Sequence, residues 1–245
     1  MIKRILAQTD LGDLLTFVSP SLFDVISVPA VLRRLRGVRA ASKQGWTEQA
    51  RGLSQRIPAG VRHSDEPGDP FSGIPHERRA EVGQRILALY FAQLFSDAPT
   101  IVDLRRDRWS WSDGELLWSP ARLMVSWEPG FQSAIQRVYR GFYEGDDALF
   151  DEALGQLGLS GAGHLLRAHF GDGDATVVTF ERQHFVDSFG AIFEHCKRSG
   201  VRLDPDFVLL GAYLGGLYDA LSDLGQPMNV AEAFRASTQP GARVA

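Results

Sequence analysis

The sequence predicts a mainly helical α+β protein in which packed helices carry one small, Trp-rich antiparallel β-sheet. Apolar residues recur at helical spacing through most of the chain after residue 76, as expected for helices that bury one face. Trp109 and Trp111 alternate with polar residues before Asp113 and Gly114, and the apolar residues 116–118 follow them, which is the pattern of a β-hairpin. The 245 residues, 44% of them hydrophobic, are enough to enclose a sizeable core.

The composition excludes several classes of function. A formal net charge of -4 argues against a dedicated nucleic-acid binder, which usually has a basic excess. Cys196 is the only cysteine, so there is no internal disulfide framework and no multi-cysteine zinc site. We find no run of about eighteen apolar residues, no secretory signal pattern and no Gly-x-x-x-x-Gly-Lys-Ser/Thr phosphate loop. We therefore expect a cytoplasmic protein without a transmembrane segment, a nucleic-acid partner or a cofactor.

The first third of the chain divides into two predicted parts. Residues 1–51 form an N-terminal helical segment, and residues 52–75, rich in Pro and Gly, form a loop or linker. The helical segment carries a basic cluster of Arg33, Arg34, Arg36 and Arg39. A solvated helix face explains such a cluster most simply. An anionic membrane surface or an acidic partner are the alternatives that would use it.

Residues 76–236 form the predicted main domain, which a loose tail at 237–245 follows. A helix is predicted from about 76 to 95, the hairpin near 108–118, and a third short strand near 123–127 that joins the hairpin. Capping residues, glycines and an Asp-Pro pair mark where the later helices begin and end. These helices are predicted at about 129–145, 146–158, 165–169, 185–200, 204–225 and 229–236.

Two pairs of residues are candidates for chemistry. Glu181 and His184 have the Glu-x-x-His spacing of helical di-iron sites, although no second such pair accompanies them. They are the metal-binding candidates of this sequence, and ordinary structural roles are the alternative. His195 precedes Cys196, but neighbouring side chains diverge by about 100° on a helix. We therefore predict Cys196 to be a buried, inert thiol on an apolar stripe.

The tryptophans of the predicted sheet allow two interpretations. They could stack on a ligand, a sugar or a base. Aromatic residues on a small sheet more often pack against neighbouring helices, and packing is what we predict for the set Trp109, Trp111, Trp118 and Trp127.

Five segments occur in an order that a known family shares. They are Val-Pro-Ala-Val at 28–31, the helix at 86–97, Ile-Val-Asp-Leu-Arg-Arg-Asp-Arg at 101–108, the hairpin at 112–117, and the helix–Gly-Asp–helix pattern from 139 to Leu-Gly at 157–158. In this order they resemble the C-terminal lobe of the UbiB/AarF family of atypical, protein-kinase-like proteins, over residues 28–234. The resemblance implies a fold like a kinase C-terminal lobe.

The resemblance also says which site residues this chain keeps. Asp103 stands at the position of the catalytic-loop aspartate, and it is the only match to a catalytic position. Arg108 stands where the family has a metal-binding Asn, and Trp118 stands where it has the aspartate of Asp-Phe-Gly. Neither magnesium ligand is therefore present, although a kinase site needs them because Mg²⁺ neutralises charge on the phosphates.

These observations lead to one expected function and two alternatives. We expect a noncatalytic kinase-like remnant, a pseudokinase that works as a binding or scaffold protein for a protein partner or an apolar small molecule. The first alternative is an enzyme with a helix-lined pocket, possibly metal-dependent, that uses Asp103, Glu181, His184 and His195. The second is a peripheral membrane protein attached through residues 11–39.

Overall fold

The computed structural model of the protein describes residues 20–66, 71, 73–170 and 177–238. Within these ranges the chain is mainly helical with short strands, which confirms the predicted α+β class. The helices are α1 (Val28–Arg56), α2 (Arg79–Leu94), α3 (Pro129–Glu144), α4 (Asp147–Gln156), α5 (Gly163–Phe170), α6 (Arg182–Arg198), α7 (Asp206–Leu224) and α8 (Val230–Thr238). The strands are β1 (Val61–His63), β2 (Thr100–Ile101), β3 (Trp109–Ser112), β4 (Glu115–Trp118), β5 (Met124–Val125), β6 (Val177–Thr179) and β7 (Pro227–Asn229). Residues 1–19 and 239–245, parts of the predicted N-terminal segment and tail, lie outside the described residues.

Helix α7 lies at the centre of the hydrophobic core. Nearly all of its residues are buried, because its sequence is apolar on every side rather than on one stripe. It is the one helix of the described residues that is long and apolar enough to cross a membrane, and 89% of its most apolar window is buried inside the protein. The core helix of a folded domain has these properties.

Helix α1 belongs to the same core as the helices of the predicted main domain. Its buried residues recur every three or four positions, so one side of the helix faces the core; they include Val31, Leu35, Val38, Ser42, Trp46 and Leu53. The helix also continues past residue 51 to Arg56, because the first helix-breaking residue is Pro58. The segment from 52 to 75, which we predicted as a loop, therefore contains the end of α1 and strand β1 as well.

The Trp-rich sheet has three strands in the order β1-β4-β3. The predicted hairpin is confirmed: β3 and β4 are antiparallel, with Trp109 opposite Trp118. Asp113 and Gly114 form its turn with φ values of 54° and 82°, as a type I′ turn requires.

The third strand of this sheet is not the predicted one. Strand β1 runs parallel to β4, with Val61 beside Leu116, so the free edge of β4 is occupied. The strand predicted near 123–127 exists as β5, but it pairs with β2 in a separate two-stranded sheet. The prediction that it joins the hairpin is wrong, and the sheet is mixed rather than purely antiparallel.

Three of the helices after residue 128 begin at a capping side chain, two of them, Asp146 and Asn229, at predicted caps, whereas the predicted cap Asp204 does not cap α7, whose N-cap is Pro205. The carboxylate of Glu128 accepts a hydrogen bond from Phe131 N at 2.8 Å, and Asp146 accepts one from Leu149 N at 2.9 Å. Asn229 accepts one from Glu232 N at 3.0 Å. These bonds satisfy N–H groups that have no partner inside the helix, which is why the local sequence fixes these boundaries well.

Candidate functional site

The candidate site is the loop from Val102 to Arg108, which connects β2 to the Trp hairpin. Helix α7 holds this loop in place. A Cβ atom on Gly216 would lie 3.2 Å from Arg105 N, so the glycine allows the helix and the loop backbone to approach closely. One turn further along α7, the carboxylate of Asp219 accepts a hydrogen bond from Arg106 N at 3.0 Å.

Asp103 lies inside this loop and is fully buried. Arg105 donates to both of its oxygens, from Nε at 2.8 Å and from Nη2 at 3.0 Å. Ala121 N donates to Oδ2 at 3.0 Å. The two Asp103 oxygens are thus occupied by a fork-shaped guanidinium and a backbone amide, which is a strong charge-assisted arrangement.

A second arginine contacts the same carboxylate. Arg108 Nε lies 2.8 Å from Asp103 Oδ2, but its N–H does not point at an acceptor, so this contact is an ion pair rather than an aligned hydrogen bond. Asp107 lies at the edge of the group, 3.8 Å from Arg105 and 3.7 Å from Arg108, and is half exposed. Asp103 is therefore neutralised within the protein and has no open side toward solvent.

The two inner tryptophans of the hairpin close this loop from the other side. Trp109 and Trp118 are fully buried and stack with their ring centroids 5.8 Å apart. Trp118 Nε1 donates to the backbone oxygen of Asp103 at 3.0 Å, and Trp109 Nε1 donates to that of Leu104 at 3.0 Å. Trp127 is also buried. The prediction that these tryptophans pack inside the protein is confirmed, while Trp111 is only half buried.

Beside this buried centre lies an outer group of charged residues that reaches the surface. Arg182, at the start of α6, pairs with Asp219 at 2.7 Å, and Arg106 pairs with Asp223 at 3.2 Å. The Arg106–Asp223 pair is exposed and contributes little to stability, whereas the carboxylate of Asp219 is buried. The two pairs connect α6, α7 and the loop into one network of alternating charge.

Glu181, His184 and His195 lie along α6, and His195 is far from the other two. Glu181 is exposed at the residue that precedes the helix, and His184 Nε2 lies 3.4 Å from Ser188 Oγ. His195 lies eleven residues further, about 16 Å along the axis, where its Nε2 is 3.2 Å from the backbone oxygen of Ser160. In the described ranges, no three His, Cys, Asp or Glu side chains are grouped so that they could hold a metal ion.

The thiol of Cys196 is fully buried, as predicted. It continues the apolar stripe of α6 that includes Phe189, Ile192 and Phe193. Burial raises the pKa of this thiol, because an apolar environment disfavours the thiolate. The nucleophilic form is therefore suppressed at neutral pH.

The basic cluster of α1 separates into two parts. Arg33, Arg36 and Arg39 are exposed. Arg34 instead reaches across to α7 and donates to the carboxylate of Asp206 and to the backbone oxygen of Ser126. The expectation that all four arginines form one surface is therefore wrong for Arg34, which joins two helices.

Two small cavities lie next to each other in the interior formed by the described residues. One, of about 30 Å³, is lined by four of the five tyrosines, among them Tyr90, Tyr139 and Tyr218. The other, of about 40 Å³, is lined by aliphatic and Phe side chains together with Tyr139 and lies between α3, α6 and α7. A buried apolar cavity that holds benzene measures about 150 Å³, so each of these is too small for an organic ligand as it stands.

Two larger depressions are open to solvent. One has a volume of about 520 Å³ between α1 and the first turn of α7, and the other, of about 620 Å³, lies beside α3 and α4. Glu128 and Asp204 line both. Burial, the largest cause, raises the pKa of Asp204, and the carboxylates of Asp206 and Glu128 add to the rise, while the hydrogen bond from Asp206 N and the charge of Arg34 offset part of it.

No protein-family model matches the chain, and no curated protein is significantly similar to it.

Proposed function

We propose that this protein is a noncatalytic binding or scaffold protein built on a kinase-like C-terminal lobe. The observation that carries the proposal is the direct contact of Asp103 with both Arg108 and Trp118. These are the three positions that the resemblance matches to the catalytic aspartate and the two magnesium ligands of a kinase-like site. They lie five and fifteen residues apart in the sequence, and their contact in the fold supports the assignment.

The side chains at these three positions support the proposal that the protein does not catalyse phosphoryl transfer. Mg²⁺ prefers carboxylate and amide oxygens, whereas Arg108 brings a cation and Trp118 an indole. A general base must come within hydrogen-bonding distance of its substrate, but the oxygens of Asp103 are buried and occupied by Arg105 and Ala121. In this arrangement Asp103 stabilises the loop rather than reacting.

The partner we propose is a protein in the cytoplasm. The two interior cavities of about 30 and 40 Å³ are too small for an apolar small molecule. The open depressions beside Glu128 and Asp204 are large enough for side chains of another protein. The net charge of -4 favours a protein partner over a nucleic acid.

Thermal unfolding with ATP, in the presence and absence of Mg²⁺, tests the proposal. We expect no Mg²⁺-dependent rise in Tm. A ligand at a hundred times its Kd stabilises a folded protein by about 2.7 kcal/mol, so tight binding of ATP would raise the Tm measurably. A rise that requires both ATP and Mg²⁺ would overturn the proposal.

Elemental analysis of the purified protein tests the enzyme alternative separately. Iron, manganese or zinc in stoichiometric amount, lost on substitution of His184 by Ala, would favour the metal-dependent enzyme. Substitution of His76, an exposed histidine far along the chain from α6, is the matched control. If neither substitution changes the metal content, His184 does not hold a metal ion, and the proposal of a binding protein is retained.

A further inference from the structure

Helix α1 presents a row of cations to solvent. Arg33, Arg36, Arg39 and Lys43 are all exposed, and their spacing of three, three and four residues places them within about a third of the helix circumference. We call these four residues the basic face. From Arg33 to Lys43 it extends about 15 Å along the helix axis.

The basic face has no acidic partner within the described part of the protein. None of its four side chains forms an ion pair or a hydrogen bond with an acidic residue there, whereas Arg34, in the same segment, is paired with Asp206. The whole helix carries seven basic residues and one acidic residue, Glu48, in a chain whose net charge is -4. Positive charge is therefore concentrated on one helix of an acidic protein.

The exposed side of this helix carries charge with one bulky apolar residue, the half-buried Leu32, among the cations. The bulky apolar residues Val31, Leu35 and Trp46 point into the core, and the exposed positions between Pro29 and Glu48 hold small, polar or basic residues. A stable protein interface needs a buried centre of aromatic or aliphatic side chains. Adsorption to an anionic lipid surface needs only cations near the headgroups.

We propose that the basic face binds the surface of a bilayer that contains anionic phospholipids. The guanidinium groups of Arg33, Arg36 and Arg39 suit phosphate oxygens, which they can contact with two hydrogen bonds each. Because Leu32 is the one bulky apolar side chain on this side and is half-buried, α1 lies on the headgroups and does not insert into the hydrocarbon. The negative charge of the rest of the chain keeps the remaining surface away from the lipid.

Vesicle flotation tests this inference with the full chain. Vesicles of phosphatidylcholine containing about a third phosphatidylserine are compared with vesicles of phosphatidylcholine alone. We expect binding to the first only, and weaker binding as salt is raised, since screening shortens the reach of exposed charges to about 10 Å at 0.1 M salt. Each Arg near an anionic surface contributes about 1 kcal/mol. The triple variant Arg33→Gln, Arg36→Gln, Arg39→Gln therefore loses about a hundredfold in partition coefficient.

A matched triple variant, Arg140→Gln, Arg198→Gln, Arg235→Gln, removes the same charge from exposed positions on α3, α6 and α8. We expect it to bind vesicles as the unmodified protein does. Equal loss in both variants, or equal binding to neutral vesicles, would overturn the inference. Failure to bind anionic vesicles together with Arg33-dependent binding of poly-glutamate would overturn it too, and would make the basic face a site for an acidic protein.

Discussion

Arg34 and Asp206 form a forked ion pair that joins the beginning of α1 to the first turn of α7. Arg34 Nη2 lies 3.1 Å from Asp206 Oδ2 and Arg34 Nε contacts Oδ1, while Glu128 N donates to Oδ2 at 3.0 Å. The carboxylate of Asp206 is 1% exposed, and the Arg34 side chain is 27% exposed. A buried carboxylate of this kind depends on its partner, because an unpaired charge in the interior is costly.

Substitution of Arg34 by Gln should therefore destabilise the fold. We expect the free energy of unfolding to fall by about 2–4 kcal/mol, below the value for a fully buried pair because solvent reaches part of the Arg34 side chain. Urea unfolding measures the change. Arg33→Gln, one residue away but exposed, should change stability by no more than about 0.5 kcal/mol. Similar losses in both variants would show that Arg34 does not join the two helices.

Asp103 offers a second test of a buried charge. In Asp103→Asn, the guanidinium of Arg105, 8% exposed, loses its nearest and only buried charged partner among the described residues, so we expect a loss of about 3–5 kcal/mol in the free energy of unfolding. Asp107→Asn removes an acid of the same loop that is half exposed, and should cost less than about 1 kcal/mol. If Asp103→Asn were as stable as the unmodified protein, the contacts of Asp103 with Arg105 and Ala121 would not stabilise the fold.

Local signals made the helices and the hairpin predictable. The caps at Glu128, Asp146 and Asn229, and the Asp113-Gly114 turn, act within a few residues and are readable in the sequence. The partner of β4 was not readable, because β1 is three residues long and pairs with residues more than fifty positions away. Such pairing is decided by tertiary packing.

The candidate site was only partly predictable for a similar reason. Asp103 was singled out by a resemblance, but its enclosure by Arg105 and Ala121 depends on the approach of α7 at Gly216. The inward direction of Arg34 has a signal in the sequence. Its paired residue Asp206 comes directly before an uncharged stretch at 207–218 that is buried, and an acid next to a buried stretch indicates a partner.

Substitution of glycine by alanine should change stability in opposite directions at Gly114, in the hairpin turn, and at Gly37, in α1. Gly114 has a φ of 82°, a conformation that costs an L-residue about 1–2 kcal/mol, so Gly114→Ala should destabilise the protein by about that amount. Gly37 lies in the interior of α1, and a Cβ there would meet nothing within 4 Å. Gly37→Ala should therefore stabilise the protein by about 0.5–1 kcal/mol. Thermal unfolding would contradict this account if both substitutions shifted Tm in the same direction.

His63 should make stability depend on pH. Burial lowers the pKa of this imidazole from its ordinary value of 6.5, and the nearby carboxylate of Asp65 offsets part of that effect. Its ring lies 6.5 Å from that of Trp46, at the contact between β1 and α1. The folded protein therefore favours the neutral form, while the unfolded chain takes up the proton more readily.

The sign follows from that difference in proton uptake. The stabilising contribution of neutral His63 is complete above about pH 6.5, which is the pKa of this imidazole in the unfolded chain. It is lost as the pH falls from there through the lower pKa that His63 has in the folded protein. Urea unfolding of the protein and of His63→Gln across this range should show a difference in free energy that changes between these two pKa values and is constant above them. A difference that stays constant throughout would mean that His63 has the same pKa in both states, and that its burial against Trp46 does not disfavour the charged ring.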